Sequence, residues 1–263
     1  MKPYLEKHEG DGEEFEGVIP DLLKAICESG HMTCDYQIEL AADGLFGSRD
    51  NQGHWTGLIG EVKRGEVDFA AAPIKISLER LAVVNFSIPF AETALTVLVN
   101  RDDGVQSIEE ILSRNITLGG VNGGSSLEKL RNQPQAPYSA MWAAIESTGD
   151  TKVSNMEDGI KRVLAGGYAF ICETDMARYY TSRHCSLGQI KESFLPDKGH
   201  AFAFPKDNDN LEVHINVAIK ALKQEGKIDE IYDKWFDSTC GASSVRAIQG
   251  ALLSAFVAVL LLH

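Results

Sequence analysis

An arginine at position 80 is the residue in this sequence best suited to holding an anionic ligand. It comes shortly after VDFAAAPI (67–74), a short apolar run typical of a buried strand. A guanidinium group offers a rigid fork of donors that matches a carboxylate in bidentate fashion, which a lysine cannot do. Arg80 is therefore a candidate carboxylate clamp, and a surface arginine at the start of a helix is the alternative.

Two further polar features follow predicted strands. The run NGGSS (122–126) opens a predicted helix, where glycines let the backbone approach a ligand and unpaired N–H groups attract anions. Ser125 either contributes to such an anion site or caps the helix. Glu173 ends YAFICE (168–173), where its carboxylate can hold an ammonium group, although the helix dipole also favours an acid there. Together with Arg80, these groups suit a zwitterionic α-amino acid.

An aromatic ring on a glycine-flanked turn is a further candidate. Phe46 lies between Gly44 and Gly47 in DGLFGSRD (43–50), outside any periodic apolar segment. The ring either covers a bound ligand or folds back to anchor its own loop, and the sequence leaves both interpretations open.

Composition narrows the classes of partner and reaction. The 263 residues include 25 Lys and Arg against 38 Asp and Glu, and the formal net charge of -13 argues against nucleic acid and favours a small-molecule or protein partner. Neither a nucleophile with an adjacent base nor a metal-binding or cofactor motif occurs, so the sequence predicts no enzyme, no metal site and no cofactor. Cys27 and Cys34 flank a turn and are candidates for pairing, which closeness in sequence does not establish.

Helix and strand patterns alternate along the chain, which predicts crossover connections, mostly parallel sheets and an α/β fold in two lobes. DYQIEL (35–40), for example, alternates as a strand does. Ligands of open α/β sheets bind beyond the carboxyl ends of the strands, where Arg80, Ser125 and Glu173 all fall. The predicted boundaries are 1–101 for the first part of lobe 1, 102–106 for a polar link, 107–205 for lobe 2 and 206–241 for a return to lobe 1.

The last part of the sequence, 245–262, is strongly apolar and has no charge from 247 onward. It falls slightly short of the ~20 apolar residues that span a bilayer. The favoured interpretation is a truncated transmembrane helix, and the alternatives are a glycolipid-anchor signal with small residues at 241–244 and a buried core helix. Either membrane interpretation places the globular part outside the cytosol.

A series of segments matches a known family in order along the chain, including FEGVIPDLL, DGLFGSRD, HWTGLIGEV, DFAAAPIKISLER, VNFSIPF, GGVNGGSS, YAFICET, PDKGHAFAFPK and IDEIYDKWF. Over residues 2–241 the chain resembles the ligand-binding domain of ionotropic glutamate receptors. The resemblance implies a two-lobed clamshell of the periplasmic-binding-protein type (type II), with a ligand cleft between the lobes.

The resemblance also assigns roles to individual residues. Arg80, helped by the backbone N–H groups of Lys75 and Ser125, is expected to bind the ligand α-carboxylate. The backbone carbonyl of Pro73 and the carboxylate of Glu173 are expected to hold the α-ammonium group.

Other positions follow from the same resemblance. Ser126 is expected to bind a side-chain carboxylate, and Phe46 matches the family's aromatic lid over the ligand. His200 and Met176 are expected to line the ligand. The resemblance further implies a disulfide bond, which joins Cys185 and Cys240.

Two positions depart from the family pattern. Lys75 stands where a threonine is usual, and His200 stands where a tyrosine is usual. L-Glutamate is the favoured ligand because Ser126 and Glu173 are retained, and glycine is the alternative.

The pore is the largest difference from the family. Three membrane segments, one of them the pore loop, separate the two halves in the family, whereas LVNRDDGVQSIEEIL passes straight across here. The resemblance implies the extracellular binding domain of a ligand-gated cation channel of the plasma membrane, from a partial or pore-less product. As part of a full receptor, it would have other receptor subunits as partners in a tetramer. The alternative is an amino-acid solute-binding protein, anchored by a membrane segment or lipid, without channel activity.

Overall fold

Two α/β units are built from the residues that the computed structural model describes, namely 3–7, 15–32, 34–207, 209–236 and 240. The described residues of Met1–Thr93 and Pro196–Trp235 form the first unit. Those of Ala94–Leu195 and Phe236–His263 form the second.

Short strands and helices follow one another through both units. The first stretch contains β1 (Glu6–Lys7), β2 (Phe15–Glu16), α1 (Val18–Glu28), α2 (Gly57–Arg64), β3 (Ala70–Lys75), α3 (Leu78–Leu81) and β4 (Asn85–Phe86). The second unit contains β5 (Leu95–Asn100), α4 (Ile108–Ser113), β6 (Thr117–Val121), α5 (Ser125–Arg131), α6 (Tyr138–Ser147), β7 (Lys152–Val153), α7 (Met156–Leu164), β8 (Tyr168–Glu173), α8 (Thr174–Arg183) and β9 (Leu187–Gln189). The chain continues through β10 (His200–Phe204), α9 (Asp209–Gln224) and α10 (Lys227–Phe236).

A small antiparallel sheet organises the first unit. Its strand order is β3-β10-β4, and β10 pairs antiparallel with both neighbours. One side of this sheet and helix α2 bury a cluster of apolar side chains, which comprises Trp55, Ile59, Val62, Ala70, Ile74, Val84 and Ala203. Burial of this apolar surface is the main favourable term for the unit.

A mixed sheet organises the second unit, in the order β7-β6-β8-β5-β9. Strand β6 runs parallel to β7 and β8, whereas β5 runs antiparallel to β8 and β9. Successive side chains of β8 enter opposite cores, because strand side chains alternate between the two faces of a sheet. Ala169 and Ile171 pack in one core, and Tyr168, Phe170 and Cys172 pack in the other. Both faces of this sheet are therefore covered, which explains the nearly continuous apolar sequence of β8.

Two expectations about strands are wrong. The sheet of the first unit is antiparallel rather than parallel. Helical segments between strands indicate crossover connections, but they do not show which strands become neighbours in the sheet. Residues 35–40 form no strand: they have no regular structure, and Tyr36 and Leu40 are exposed. Apolar and polar residues alternate in this segment, but the apolar residues form no buried face. The alternation therefore does not reflect a strand packed against a core, which is its usual cause.

The unit boundaries differ from those expected at 101 and 205. Strand β5 lies in the second unit because it pairs with β8 and β9 there. Strand β10 lies in the first unit because it pairs with β3 and β4. The expected link at 102–106 overlaps a short 3₁₀ turn, Arg101–Asp103, and precedes α4, so it lies within the second unit.

The apolar segment at 245–262 lies outside the described residues. Within the part of the chain that the structure describes, no helix combines the length and the apolar character that a bilayer span needs.

Four of the cysteines form two disulfide bonds. Cys185 bonds to Cys240, and Cys27 bonds to Cys34 across the turn that follows α1. Cys172 is a free thiol buried in β8, and this burial raises its pKa well above the ordinary value, so it stays protonated. Disulfide bonds persist in oxidising compartments, which agrees with a globular part outside the cytosol.

Removing the two disulfide bonds separately should have unequal effects. The Cys185–Cys240 bond closes a sequence separation of 55 residues, and the Cys27–Cys34 bond closes one of 7. In the chain-entropy model the longer loop contributes about 4 kcal/mol and the shorter about 2.5 kcal/mol to the free energy of unfolding. Urea unfolding of the two double-serine variants measures the difference, and equal losses would contradict this account.

Candidate functional site

Arg80 lies in α3, a short helix that begins just beyond β3. The Ser77 hydroxyl caps this helix by accepting a hydrogen bond from the Arg80 backbone N–H at 3.3 Å. The guanidinium donates from Nη1 to the Lys75 carbonyl oxygen at 2.9 Å and from Nη2 to the Gly47 carbonyl oxygen at 3.0 Å. Backbone atoms alone therefore hold the guanidinium in place, and its remaining N–H groups are available to a ligand. Among the described residues, no carboxylate forms an ion pair with this guanidinium.

The Arg80 side chain is half-buried, and burial lowers the pKa of its guanidinium from the ordinary value. Loss of hydration disfavours the charged form of any group. Since the ordinary arginine pKa lies far above neutrality, Arg80 remains a cation at neutral pH. A partly desolvated, permanently charged fork interacts more strongly with an anion than a fully exposed one.

The loop that presents Gly47 is anchored on the first turn of α2. The Asp43 carboxylate accepts hydrogen bonds from the backbone N–H groups of Leu45 at 2.9 Å and Gly57 at 2.8 Å. These two bonds lower the pKa of Asp43, that to Leu45 having the larger effect. The N–H groups of Leu58 and Ile59 donate to the carbonyl oxygens of residues 45 and 46. The unpaired donors at the start of α2 thus hold a loop, rather than an external anion.

Gly47 is the residue in this loop whose backbone admits no side chain. Its φ is +115°, and a Cβ atom added there would lie 2.6 Å from the Thr56 carbonyl oxygen and 2.8 Å from the Ile59 Cβ. Sequence reasoning treated Gly47 only as a neighbour of Phe46 and missed its contact with Arg80. A glycine at position 47 was the available signal, but a contact between residues 33 positions apart cannot be predicted from sequence spacing.

The Phe46 ring is partly buried and packs against the apolar cluster that contains Trp55, Ile59 and Ile74. This packing supports the interpretation in which the ring anchors its own loop. The role as a lid over a ligand stays a prediction.

Lys75 has an acidic neighbour that sequence reasoning missed. Its ammonium nitrogen lies 3.8 Å from the Asp197 carboxylate, and the two side chains are 23% and 24% exposed. The Asp197 backbone N–H donates to the Thr93 carbonyl oxygen at 2.8 Å, which helps to position this acid. A lysine and an aspartate at this distance largely cancel each other's charge, so Lys75 does not simply add a second cation beside Arg80.

His200 and Pro73 occupy the sheet of the first unit. His200 pairs with Lys75 across the β3–β10 ladder and is only 2% exposed. Its ring meets Tyr4 edge-on, with the Tyr4 hydroxyl 3.4 Å from Nδ1, and lies tilted against Phe90. Pro73 is buried within β3. Packing against Tyr4 and Phe90 therefore explains the position of the His200 imidazole, and a ligand-lining role for His200 stays a prediction.

The second unit brings its expected site residues to one edge of its sheet. Strands β6 and β8 are parallel neighbours, so their carboxyl ends lie at the same edge. Ser125 and Ser126 begin α5 just beyond β6, and Glu173 ends β8 and precedes α8. Met176 lies in the first turn of α8.

Neither helix start in this set is capped by a side chain. The residue that caps α5 is Gly124, so the alternative of Ser125 as the cap is wrong. Glu173 occupies the cap position of α8 but makes no side-chain cap bond. Ser125 and Glu173 therefore do not act as side-chain caps, whereas the Asp175 carboxylate accepts a hydrogen bond from the Met176 backbone N–H at 2.8 Å.

Comparisons with known proteins identify relatives of this chain. A family model described as "Ligated ion channel L-glutamate- and glycine-binding site" matches residues 1–103. A "Probable glutamate receptor" of Lithobates berlandieri is 19% identical over 356 positions, which cover 91% of this chain and 72% of that protein. Human "Glutamate receptor ionotropic, kainate 1" is 21% identical over 402 positions, which cover 98% of this chain and 43% of that protein.

Both alignments are longer than the 263 residues of this chain, so these relatives carry residues that it lacks. The solved structure titled "Drosophila muscle GluRIIB complex with glutamate" has a TM-score of 0.78 and 27% identity, with 90% of this chain and 96% of that chain covered. The fold is α/β with a mixed sheet and is similar to that of a glutamate receptor ligand-binding domain. The expected resemblance to the ligand-binding domain of ionotropic glutamate receptors is confirmed.

Substitution of Gly47 should disturb the anchor of Arg80. Gly47→Ala places a Cβ against backbone at φ +115°, so we expect a loss of about 1 to 3 kcal/mol in the free energy of unfolding. Gly44→Ala is the matched control, because nothing lies within 4 Å of its added Cβ and only the strain of φ +67° remains. Urea unfolding compares the two variants, and equal losses would show that Gly47 tolerates a side chain.

Proposed function

We propose that this chain is the amino-acid-binding domain of an ionotropic glutamate receptor and that its ligand is L-glutamate. The observation that carries the proposal is the half-buried Arg80 guanidinium, which two backbone carbonyls hold while further donors remain. Such a fixed fork is suited to the bidentate recognition of an α-carboxylate.

The remaining contacts are assigned by chemistry. In the first unit, the backbone N–H of Lys75 assists Arg80 at the α-carboxylate, and the Pro73 carbonyl accepts from the α-ammonium group. In the second unit, the Ser125 N–H also donates to the α-carboxylate, and the Glu173 carboxylate also accepts from the α-ammonium group. Ser126, at the start of α5, receives the side-chain carboxylate, which the positive end of the helix dipole favours. Phe46 covers the ligand, and Met176 and His200 line it.

The Lys75–Asp197 pair bears on ligand choice. An unpaired lysine beside Arg80 would repel the ligand's ammonium group, whereas a lysine paired at 3.8 Å adds little net charge. A zwitterion with a second carboxylate remains compatible with this set of groups. Glycine is the second candidate ligand, because it has the α-carboxylate and α-ammonium groups but lacks the side-chain carboxylate that Ser126 would bind.

Receptor function requires more than this chain. The relatives named above carry residues that it lacks, and the human kainate receptor is more than twice as long as the part matched. We propose that the domain is extracellular at the plasma membrane and acts with other receptor subunits. In an assembled receptor, preferential binding of the ligand to one conformation would shift the population and gate the channel. The names of the relatives support a receptor rather than a solute-binding protein or an enzyme.

Calorimetric titration tests the ligand and the role of Arg80 together. The full chain should bind L-glutamate more tightly than glycine, aspartate or serine. Arg80→Ala should weaken glutamate binding by about 2 to 5 kcal/mol, at least roughly thirtyfold, because it leaves the carboxylate without its charged partner. Arg49→Ala is the control, since this arginine of the same unit lies over the Trp55 ring. Binding that survives Arg80→Ala would contradict the proposal.

A double-mutant cycle tests the Lys75–Asp197 pair against ligands with and without an ammonium group. Asp197→Asn leaves the Lys75 charge less compensated, so we expect the affinity ratio of glutarate to glutamate to rise about threefold to tenfold. Lys75→Thr should move the ratio in the opposite direction, and the double variant should restore it. An unchanged ratio in all variants would show that the ligand does not sense this pair.

A further inference from the structure

The sequence contains two Asn-X-Ser/Thr tripeptides with a residue other than proline in the middle. They are Asn85-Phe86-Ser87 and Asn115-Ile116-Thr117. This tripeptide is the acceptor for N-linked glycosylation in proteins that enter the secretory pathway, and a glycan must remain in solvent after folding. The two tripeptides lie in different units and differ in exposure, so the structure gives different expectations for their glycosylation.

Asn115 is presented to solvent at the turn between α4 and β6. It is exposed, and its φ of +52° lies in the left-handed region that asparagine tolerates better than most residues. The turn is held by backbone bonds from the N–H of Ile116 to the Ile111 carbonyl and from the N–H of Thr117 to the Gly167 carbonyl, each 3.2 Å. Among the described residues, no hydrogen bond involves the Asn115 amide side chain.

Asn85 is engaged by its surroundings instead. It lies in β4, is partly buried, and accepts a hydrogen bond at Oδ1 from the Lys206 ammonium at 3.1 Å. Ser87, which completes the tripeptide, is 3% exposed. Its hydroxyl donates to the Ile88 carbonyl at 2.9 Å and accepts from the Phe202 N–H at 3.0 Å. A glycan on Asn85 would have to be accommodated beside a strand pairing.

The disulfide bonds give an independent reason to expect the modification. Cys27–Cys34 and Cys185–Cys240 need an oxidising compartment, and in a eukaryotic cell that compartment also holds the enzymes of N-glycosylation. This argument does not depend on which amino acid the chain binds.

We propose that Asn115 carries an N-linked glycan and that Asn85 does not. In the transfer, the Asn115 amide nitrogen attacks the first sugar carbon of a lipid-diphosphate-linked oligosaccharide. A nitrogen–carbon bond forms, the bond from that carbon to the diphosphate oxygen breaks, and the lipid diphosphate leaves. The amide nitrogen loses one proton to a base of the cell's transferase, so the step involves no oxidation or reduction.

The position of Asn115 separates the glycan from the residues proposed to bind the ligand. Asn115 precedes β6, and Ser125 follows it, so the two residues lie at opposite ends of this strand. A five-residue strand extends roughly 15 Å. The glycan therefore leaves the ligand-binding edge of the second unit accessible. It also keeps the turn around Asn115 in solvent, which excludes that turn from any interface with another subunit.

The test uses the full chain, directed into the secretory pathway of cultured animal cells by a cleavable signal sequence and recovered from both medium and membranes. The parent chain should show one gel-mobility shift that peptide-N-glycosidase removes, and mass spectrometry should find aspartate at 115 after that digestion. Asn115→Asp and Thr117→Val should abolish the shift. Thr117→Ser keeps the acceptor tripeptide and should retain it, and Asn85→Asp should also retain it. The side chains of these replacements are close in size to the originals, which limits effects on folding.

Detection of the Cys185–Cys240 disulfide in the same sample verifies folding and passage through the oxidising compartment. A disulfide-bonded parent chain without a glycan would overturn the proposal, as would a shift that persists in Asn115→Asp. Glutamate affinity of Asn115→Asp should equal that of the parent chain. Because the glycan is read out without ligand, this test can fail while the proposed binding function stands, or the reverse.

Discussion

The Arg80 guanidinium is a half-buried cation, and burial of a charge is unfavourable unless polar groups compensate for the lost hydration. The carbonyl oxygens of Lys75 and Gly47 hold the guanidinium without neutralising it. The first acceptor exists because β3 ends at Lys75, next to the helix that carries Arg80. The second exists because the first turn of α2 binds the loop at 43–46 through its own N–H groups.

This arrangement uses backbone carbonyls where a carboxylate would have been the stronger partner. A carboxylate beside Arg80 would form an ion pair and compete with an incoming anion. Backbone carbonyls orient the fork by dipoles and leave its charge in place. The fold thus gains orientation without loss of electrostatic attraction, at the cost of a glycine that must remain without a side chain.

Local sequence predicted the parts of the fold and site that depend on burial and on residue chemistry. The apolar run of β8, the helix that follows Gly124 and the presence of Arg80 beyond a strand are examples. Partnerships between distant segments were not predictable, because periodicity records that a face is buried without recording against what. The antiparallel pairing of β10, the Gly47 contact and the Asp197 contact all join segments far apart in sequence. Residues 35–40 show the converse error, since alternation occurred without burial.

The lysine at position 75 shows why a substitution at a binding position cannot be interpreted from that position alone. Considered by itself, Lys75 adds a positive charge where the family usually has a neutral threonine, and the sign of its effect on an amino-acid ligand is ambiguous. Asp197 supplies a negative charge at 3.8 Å from a position 122 residues further along the chain. The electrostatic potential that a ligand meets depends on the sum of both charges, and at this separation the sum is far smaller than either. A charged residue can therefore replace a neutral one at such a site when the fold brings its counter-charge within a few ångströms.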